Sequence, residues 1–203
     1  MKLSEEQIAF YDVAKNFAIE KMEPYAEKWD EEKTLPVDTL KELAQLGFAG
    51  IYVSPDLGGS GLSRLDSTLI FEGLSQGCTS TAAFLSIHNM ATWMIDSFGN
   101  QELRERYVPD LCTMQKISSY CLTEPGAGSD AGGLRTKAEK SGDYYILNGT
   151  KSFISGGGFS DLYVTMVKTG ENSISTFAIE KGTEGLSFGC LLYTSPSPRD
   201  WTI

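Results

Sequence analysis

The sequence predicts an α+β chain in two parts: a helical domain over residues 1–115, then an antiparallel β domain, a small barrel or sandwich, over residues 116–189. Three observations predict it. Apolar residues in the first part recur at three- and four-residue steps between cap-like Ser and Asn residues. After Lys116 the period turns alternating and β-rich. The later runs are short and joined by tight turns, which implies an antiparallel arrangement.

Ser4 stands three residues before Gln7, capping-box spacing. Ile8, Tyr11, Ala14, Ala18 and Met22 then mark one helical face to about Trp29. A second helix starts near Pro36, where a first-turn proline is tolerated, carries Leu40, Leu43 and Leu46, and stops at Gly47. Ser63 and Asp66 repeat the cap spacing and open a third helix to about Gln76. Residues 79–98 make a fourth, apolar nearly all round and so expected to be buried. Asn100 caps a fifth through Leu103 and Tyr107. Strands are expected at 117–122, 134–140, 144–147, 162–167, 174–179 and 186–188. Asn148-Gly149 between β-like runs signals a hairpin, because a type I′ turn needs positive φ at both central residues.

Composition bounds the function. Hydrophobic residues at 41% and charged residues at 22% suffice for a packed core. With 27 acidic against 17 basic side chains the net charge of −10 repels a phosphate backbone and an anionic membrane surface, so no nucleic acid is expected as partner. Cys78, Cys112, Cys121 and Cys190 lie far apart and the chain holds one histidine, so no zinc site is expected and the thiols read as reduced. The start lacks the apolar stretch of a secretory signal and no 18-residue apolar run follows, so no membrane insertion is expected.

Gly126-Ala127-Gly128-Ser129-Asp130-Ala131 fits a dinucleotide fingerprint, but Thr123-Glu124-Pro125 separate it from the strand and Gly132-Gly133 precede another β-like run. What survives is a glycine-rich loop at a strand end whose N–H groups can hold an anion or a cofactor edge. Gly149-Thr150-Lys151-Ser152 resembles the end of a P-loop, yet Tyr144 stands where its first glycine belongs. Asn148-Gly149-Thr150 also fits a glycosylation acceptor, against which the turn is preferred. His88 is either a general base or a satisfied helix histidine; the second is preferred, since no nucleophile motif surrounds it. Glu72 and Glu124 stand nearest apolar or glycine-rich stretches, where desolvation raises a carboxyl pKa toward general-base values, but neither is assigned as base, and Glu124, directly before Pro125, is read first as ordering the loop.

Taken together, residues 120–130 (Tyr-Cys-Leu-Thr-Glu-Pro-Gly-Ala-Gly-Ser-Asp) and 147–156 (Leu-Asn-Gly-Thr-Lys-Ser-Phe-Ile-Ser-Gly) resemble the paired signatures of the acyl-CoA dehydrogenase family. The likeness extends over residues 1–189 and looks closest to the branch that oxidises isobutyryl-CoA in valine degradation. It implies a helical domain, a β domain and a C-terminal four-helix domain, the last missing here. It also implies FAD. Tyr120, Cys121, Leu122, Thr123, Glu124, Pro125, Gly126, Ala127, Gly128 and Ser129 would line the flavin, with Leu122 and Thr123 at its pyrimidine edge. Ser129 would also meet the CoA portion, and Phe153, Ile154 and Ser155 would cover the ring.

The resemblance further implies acyl-CoA α,β-dehydrogenation, electron-transfer flavoprotein as electron acceptor, a homotetramer and the mitochondrial matrix, a bacterial cytoplasm staying open. The family's glutamate base would lie beyond residue 189, so no catalytic residue is assigned and the chain itself is expected to bind FAD poorly and be inactive. A 2-methylbutyryl- or short-chain branch and a non-catalytic truncated product are the alternatives. From Cys190 to Ile203 composition and likeness change together, so residues 190–203 are expected to be a non-native extension.

Overall fold

Ser4 Oγ accepts the Gln7 N–H at 3.1 Å while Gln7 Oε1 accepts the Ser4 N–H, so the expected capping box opens α1 (Glu5–Phe17). The computed structural model describes residues 2–189; the expected extension at 190–203 lies outside the described residues. The first helix is not continuous to Trp29 as its periodicity predicts. A π-helical turn, Ala18–Met22, separates α1 from α2 (Glu23–Glu31). Pro24 has no N–H for the Glu20 carbonyl, and the Glu23 N–H reaches back to Ala18 O instead.

α3 (Val37–Gln45) stops before Gly47, whose φ of 79° an L side chain would resist. Ser63 and Asp66 form the second capping box and start α4 (Arg64–Ser75). α5 (Thr79–Phe98) matches its expected span, and Asn100 Oδ1 takes the Leu103 N–H at 2.9 Å to cap α6 (Gln101–Cys112). Ala14, Ala18, Met22, Leu40, Leu43, Ile70, Leu74 and Leu85 pack into one core. α4 crosses α1 nearly backbone to backbone at Gly73, where a Cβ would stand 2.9 Å from Tyr11 O and Lys15 N. Gly73→Ala is therefore expected to cost about 1–3 kcal/mol, read as a lower urea midpoint with unchanged slope.

α5 is buried as expected, but polar side chains fasten it. Asn89 takes the Ile51 N–H at 2.7 Å and donates to Phe48 O at 2.8 Å. Asp96 accepts from the Ser54 N–H, the Ser54 hydroxyl and the Arg104 guanidinium at 2.7–3.0 Å. These bonds outweigh the burial that opposes ionisation and hold its carboxyl below the ordinary range.

The chain divides at Ser118 into two compact units. The sheet contains β1 (Ser118–Cys121), β2 (Lys137–Ser141), β3 (Tyr144–Asn148), β4 (Leu162–Gly170) and β5 (Ser173–Glu180). β4 is central, pairing with β1, β2 and β5, and β3 lies outside β2. The β2–β3 and β4–β5 ladders are antiparallel as expected, but β2 meets β4 in parallel at Lys137↔Lys168, so the sheet is mixed.

Three turn and strand expectations are corrected. The β2–β3 hairpin turns at Gly142-Asp143, between paired Ser141 and Tyr144, whereas Asn148 pairs with Lys137 at the open end. Gly149 serves a close approach instead: a Cβ there would lie 2.6 Å from Thr136 Cα. Residues 186–188 form no strand; the Leu186 N–H closes a turn onto Thr183 O, and Phe188 lies against the Tyr163 ring at 5.2 Å. The strand expected from 134 begins only at Lys137, because the Arg135 and Thr136 N–H groups turn to the Glu124 carboxylate.

Candidate functional site

Where β1 ends, the chain enters a loop that closes on itself. Glu124 and Ala127 exchange reciprocal backbone hydrogen bonds of 3.0 and 3.1 Å around Pro125-Gly126, a β-turn with proline at its favoured second position. Eleven and twelve residues on, the Arg135 N–H reaches Glu124 Oε2 at 2.6 Å, and the Thr136 N–H and hydroxyl reach Oε1 at 3.0 and 2.5 Å. A fourth donor is Lys151 Nζ at 2.8 Å, which also donates to Leu122 O at 3.0 Å. Glu124 is 6% exposed yet surrounded by donors. Burial pushes its carboxyl up, but the bonds from Lys151, Thr136 and Arg135 win and hold it at about 2. A carboxylate so engaged is a poor base for proton abstraction, and its bonds order the loop, the reading preferred for Glu124 over a general base. Glu72 is exposed on α4.

The second signature run lies directly against this loop. The Ser152 N–H donates to Thr123 O at 2.8 Å, and the Ser119 hydroxyl donates to Ser155 O at 2.5 Å while meeting the Ser160 hydroxyl at 2.7 Å. Pinned on both sides, Phe153 takes φ of 58°, a left-handed conformation uncommon for a bulky side chain, and its ring stays 54% exposed. The backbone thus spends strain to present an aromatic face to the outside.

The other expected liners divide by exposure. Tyr120, Leu122, Thr123 and Ile154 are half-buried; Pro125, Gly126, Gly128, Ser129 and Ser155 are exposed. Cys121 and Ala127 are buried, so only their backbone can face a ligand. Burial pushes the Cys121 thiol up to about 11, outweighing the Thr165 bond and the Lys151 charge, and leaves it inert. Gly126 and Gly128 have no positive φ, and a Cβ on either would meet nothing within 4 Å. Neither turn geometry nor packing within the chain requires glycine at these two positions. The backbone there is exposed and open to close approach by a ligand.

His88 lies in the first unit, fully buried. Its Nδ1 accepts the Ser118 N–H at 3.1 Å and its Nε2–H donates to Leu111 O at 3.0 Å. Both nitrogens are spent, and burial, opposed by the Leu111 carbonyl, takes the ring down to about 4. It is the satisfied helix histidine. Sequence reasoning assigned no role to Lys151, Ser119 and Ser152, which tie the second signature run to the β1 end, or to Thr136, which holds Glu124. The available signal was a carboxylate in a glycine-rich loop with one lysine in the neighbouring signature, since a buried charge needs a partner.

Among the described residues no group of His, Cys, Asp and Glu is placed to hold a metal, and no helix is long and apolar enough to cross a membrane. Residues 4–115 match the family model for the acyl-CoA dehydrogenase N-terminal domain and residues 119–196 that for its middle domain. Mitochondrial isobutyryl-CoA dehydrogenase of Bos taurus is 58% identical over 192 residues, covering 93% of this chain and 46% of that protein. The structure resembles butyryl-CoA dehydrogenase of Megasphaera elsdenii with TM-score 0.83 at 32% identity, over 91% of this chain and 50% of that one. Glutaryl-CoA dehydrogenase of Mycobacterium smegmatis, solved with FADH2, gives TM-score 0.86 at 28% identity over 91% and 48%. The chain spans about half the length of the curated relatives it matches.

Proposed function

We propose, because the chain belongs to the acyl-CoA dehydrogenase family, that it is the helical and middle β portion of a flavin-dependent dehydrogenase acting on a short branched acyl-CoA, isobutyryl-CoA. The observation that carries the reading is the meeting of the two signature runs: Lys151 on Leu122 O and Glu124, and Ser152 on Thr123 O. The 58% identity to an isobutyryl-CoA dehydrogenase supports the substrate, and a valine-degradation role follows from it.

The residues fit FAD. Gly126 and Gly128 leave open space where a side chain would otherwise project, and Phe153 is held outward against its own backbone preference. Residues 120–129 would line the flavin, Leu122 and Thr123 would face its pyrimidine edge, and Phe153, Ile154 and Ser155 would cover the ring. Exposed Ser129 would also meet the CoA portion. When bound, the flavin supplies the acceptor for the β-hydride of the substrate. The chain's own share is orientation and electrostatics: backbone N–H groups at the β1 end are fixed before any charge develops, so they lose no reorganisation energy when it does.

Proton abstraction from the α-carbon needs a free carboxylate in a dry site. Among the described residues the buried carboxylates Asp96 and Glu124 are both committed, to Arg104 and to Lys151. As the resemblance implies, the base is placed in the half of the dehydrogenase that this chain does not span, and the chain alone is inferred to be inactive. Electron-transfer flavoprotein as acceptor, a homotetramer and the mitochondrial matrix complete the proposal, the last supported by the naming of its relatives as mitochondrial. Comparing kcat/KM of the whole dehydrogenase on isobutyryl-, butyryl- and 2-methylbutyryl-CoA tests the substrate. A preference of at least about tenfold for isobutyryl-CoA is expected, the scale on which a pocket discriminates one carbon. Faster turnover of the straight chain would contradict it.

A further inference from the structure

We propose that Lys151 sets the electron affinity of the flavin by polarising the Leu122–Thr123 peptide, with Glu124 as the opposing charge that limits the effect. This rests on the flavin reading above and goes beyond it by assigning a redox role to a residue that faces the loop from behind. The Leu122 carbonyl and the Thr123 N–H belong to one planar peptide unit. An ammonium at 3.0 Å from Leu122 O draws density toward the oxygen and makes the N–H at the other end a stronger donor. That N–H donates to no group among the described residues, whereas the next carbonyl, Thr123 O, is fixed by the Ser152 N–H at 2.8 Å. A donor that is oriented, polarised and unused stands at the position assigned to the flavin's pyrimidine edge.

Fold stability alone does not require this lysine. A buried ion pair is often replaced by apolar residues without loss, so the pair by itself is weak grounds for a charge here. The second contact, to a backbone carbonyl, is what an apolar replacement would lose. Lys151 is 11% exposed and Glu124 5% at their side chains, so neither charge is screened as it would be at the surface. A flavin held here would gain negative charge at its pyrimidine edge when reduced, next to the Thr123 N–H. A polarised N–H at that edge favours the reduced form.

The test is an anaerobic redox titration of the FAD-loaded whole dehydrogenase. Lys151→Met is expected to shift the reduction equilibrium about tenfold toward oxidised flavin, the scale of one lost charge-assisted hydrogen bond, or ~30 mV for a two-electron couple. Lys151→Arg keeps the cation and is expected to return most of the shift. Glu124→Gln removes the opposing charge and is expected to move the potential the other way, which a purely structural role would not do. Should Lys151→Met fail to retain flavin, the Glu124→Gln and Lys151→Arg potentials decide. An unchanged potential in Lys151→Met, or Glu124→Gln moving in the same direction, overturns the assignment alone. Wild-type protein that takes up no FAD overturns the flavin reading and the assignment with it.

Discussion

Glu124→Ala is expected to destabilise the β unit by about 3–5 kcal/mol, the cost typical of removing one partner of a buried ion pair. The loss is large because four donors lose their acceptor together: the Arg135 and Thr136 N–H groups, the Thr136 hydroxyl and the Lys151 ammonium. Lys151 would be left buried with only the Leu122 carbonyl. The same carboxylate predicts a pH dependence. Its folded value of about 2 lies below the ordinary 4.5, so the unfolded chain binds the proton more readily. Its stabilisation is present above about pH 4.5 and is lost as the pH falls toward 2. Urea midpoints of wild type and Glu124→Gln across that window check this: the wild-type curve should fall more steeply, and parallel curves would contradict it.

His88→Leu is the second large effect. The ring is fully buried and both nitrogens are bonded, so the substitution orphans the Ser118 N–H and takes one donor from the Leu111 carbonyl, which keeps the Met114 N–H at 3.1 Å. A buried unsatisfied N–H costs about 1–3 kcal/mol, which is the loss expected at pH 7. The titration again has a definite sign. A folded value near 4 against 6.5 unfolded means that the unfolded state binds more protons between them, so stability falls as the pH drops through that window and levels below it. The full swing is about 3 kcal/mol. Because the chain holds one histidine, the slope between about pH 6.5 and 5 belongs to this residue, above the range of the carboxylates. The variant should be flat there; a retained slope would contradict the assignment.

The helical unit was legible because its signals are local. Ser4, Ser63 and Asn100 each bond within three residues of themselves, and the helix starts follow from those spacings. The π turn was less so, since Pro24 marks a disturbance without saying how the ladder will absorb it. In the β unit the expected turn, Asn148-Gly149, lies at one end of β3 and the hairpin turns at the other, Gly142-Asp143, which the pairing of Lys137 with Asn148 decides. The parallel contact of β2 with β4 lies beyond any pattern of alternation, because register between distant strands is a tertiary property.

The candidate site divides in the same way. Its glycines and its Thr123–Glu124 run stood out as a motif, but motif reading cannot tell a carboxylate that reacts from one that binds the loop together. Glu124 took the second role because its partners come from 11, 12 and 27 residues away and converge only in the fold. His88 was weighed correctly for a simpler reason: a lone histidine on a buried helix needs partners, and the backbone supplied them.

The central claim is that residues 120–129 and 153–155 hold the flavin, and Gly126 tests it most directly. Valine at this position meets no protein atom within 4 Å of its Cβ and encounters no left-handed backbone, so the stability of the apo protein should change by less than about 0.5 kcal/mol. Titrating FAD into the apo form of the whole dehydrogenase and its Gly126→Val variant, followed by flavin fluorescence, should show affinity lowered by at least about tenfold, or 1.4 kcal/mol. A variant that folds as well and binds FAD as tightly as the wild type would place the flavin elsewhere.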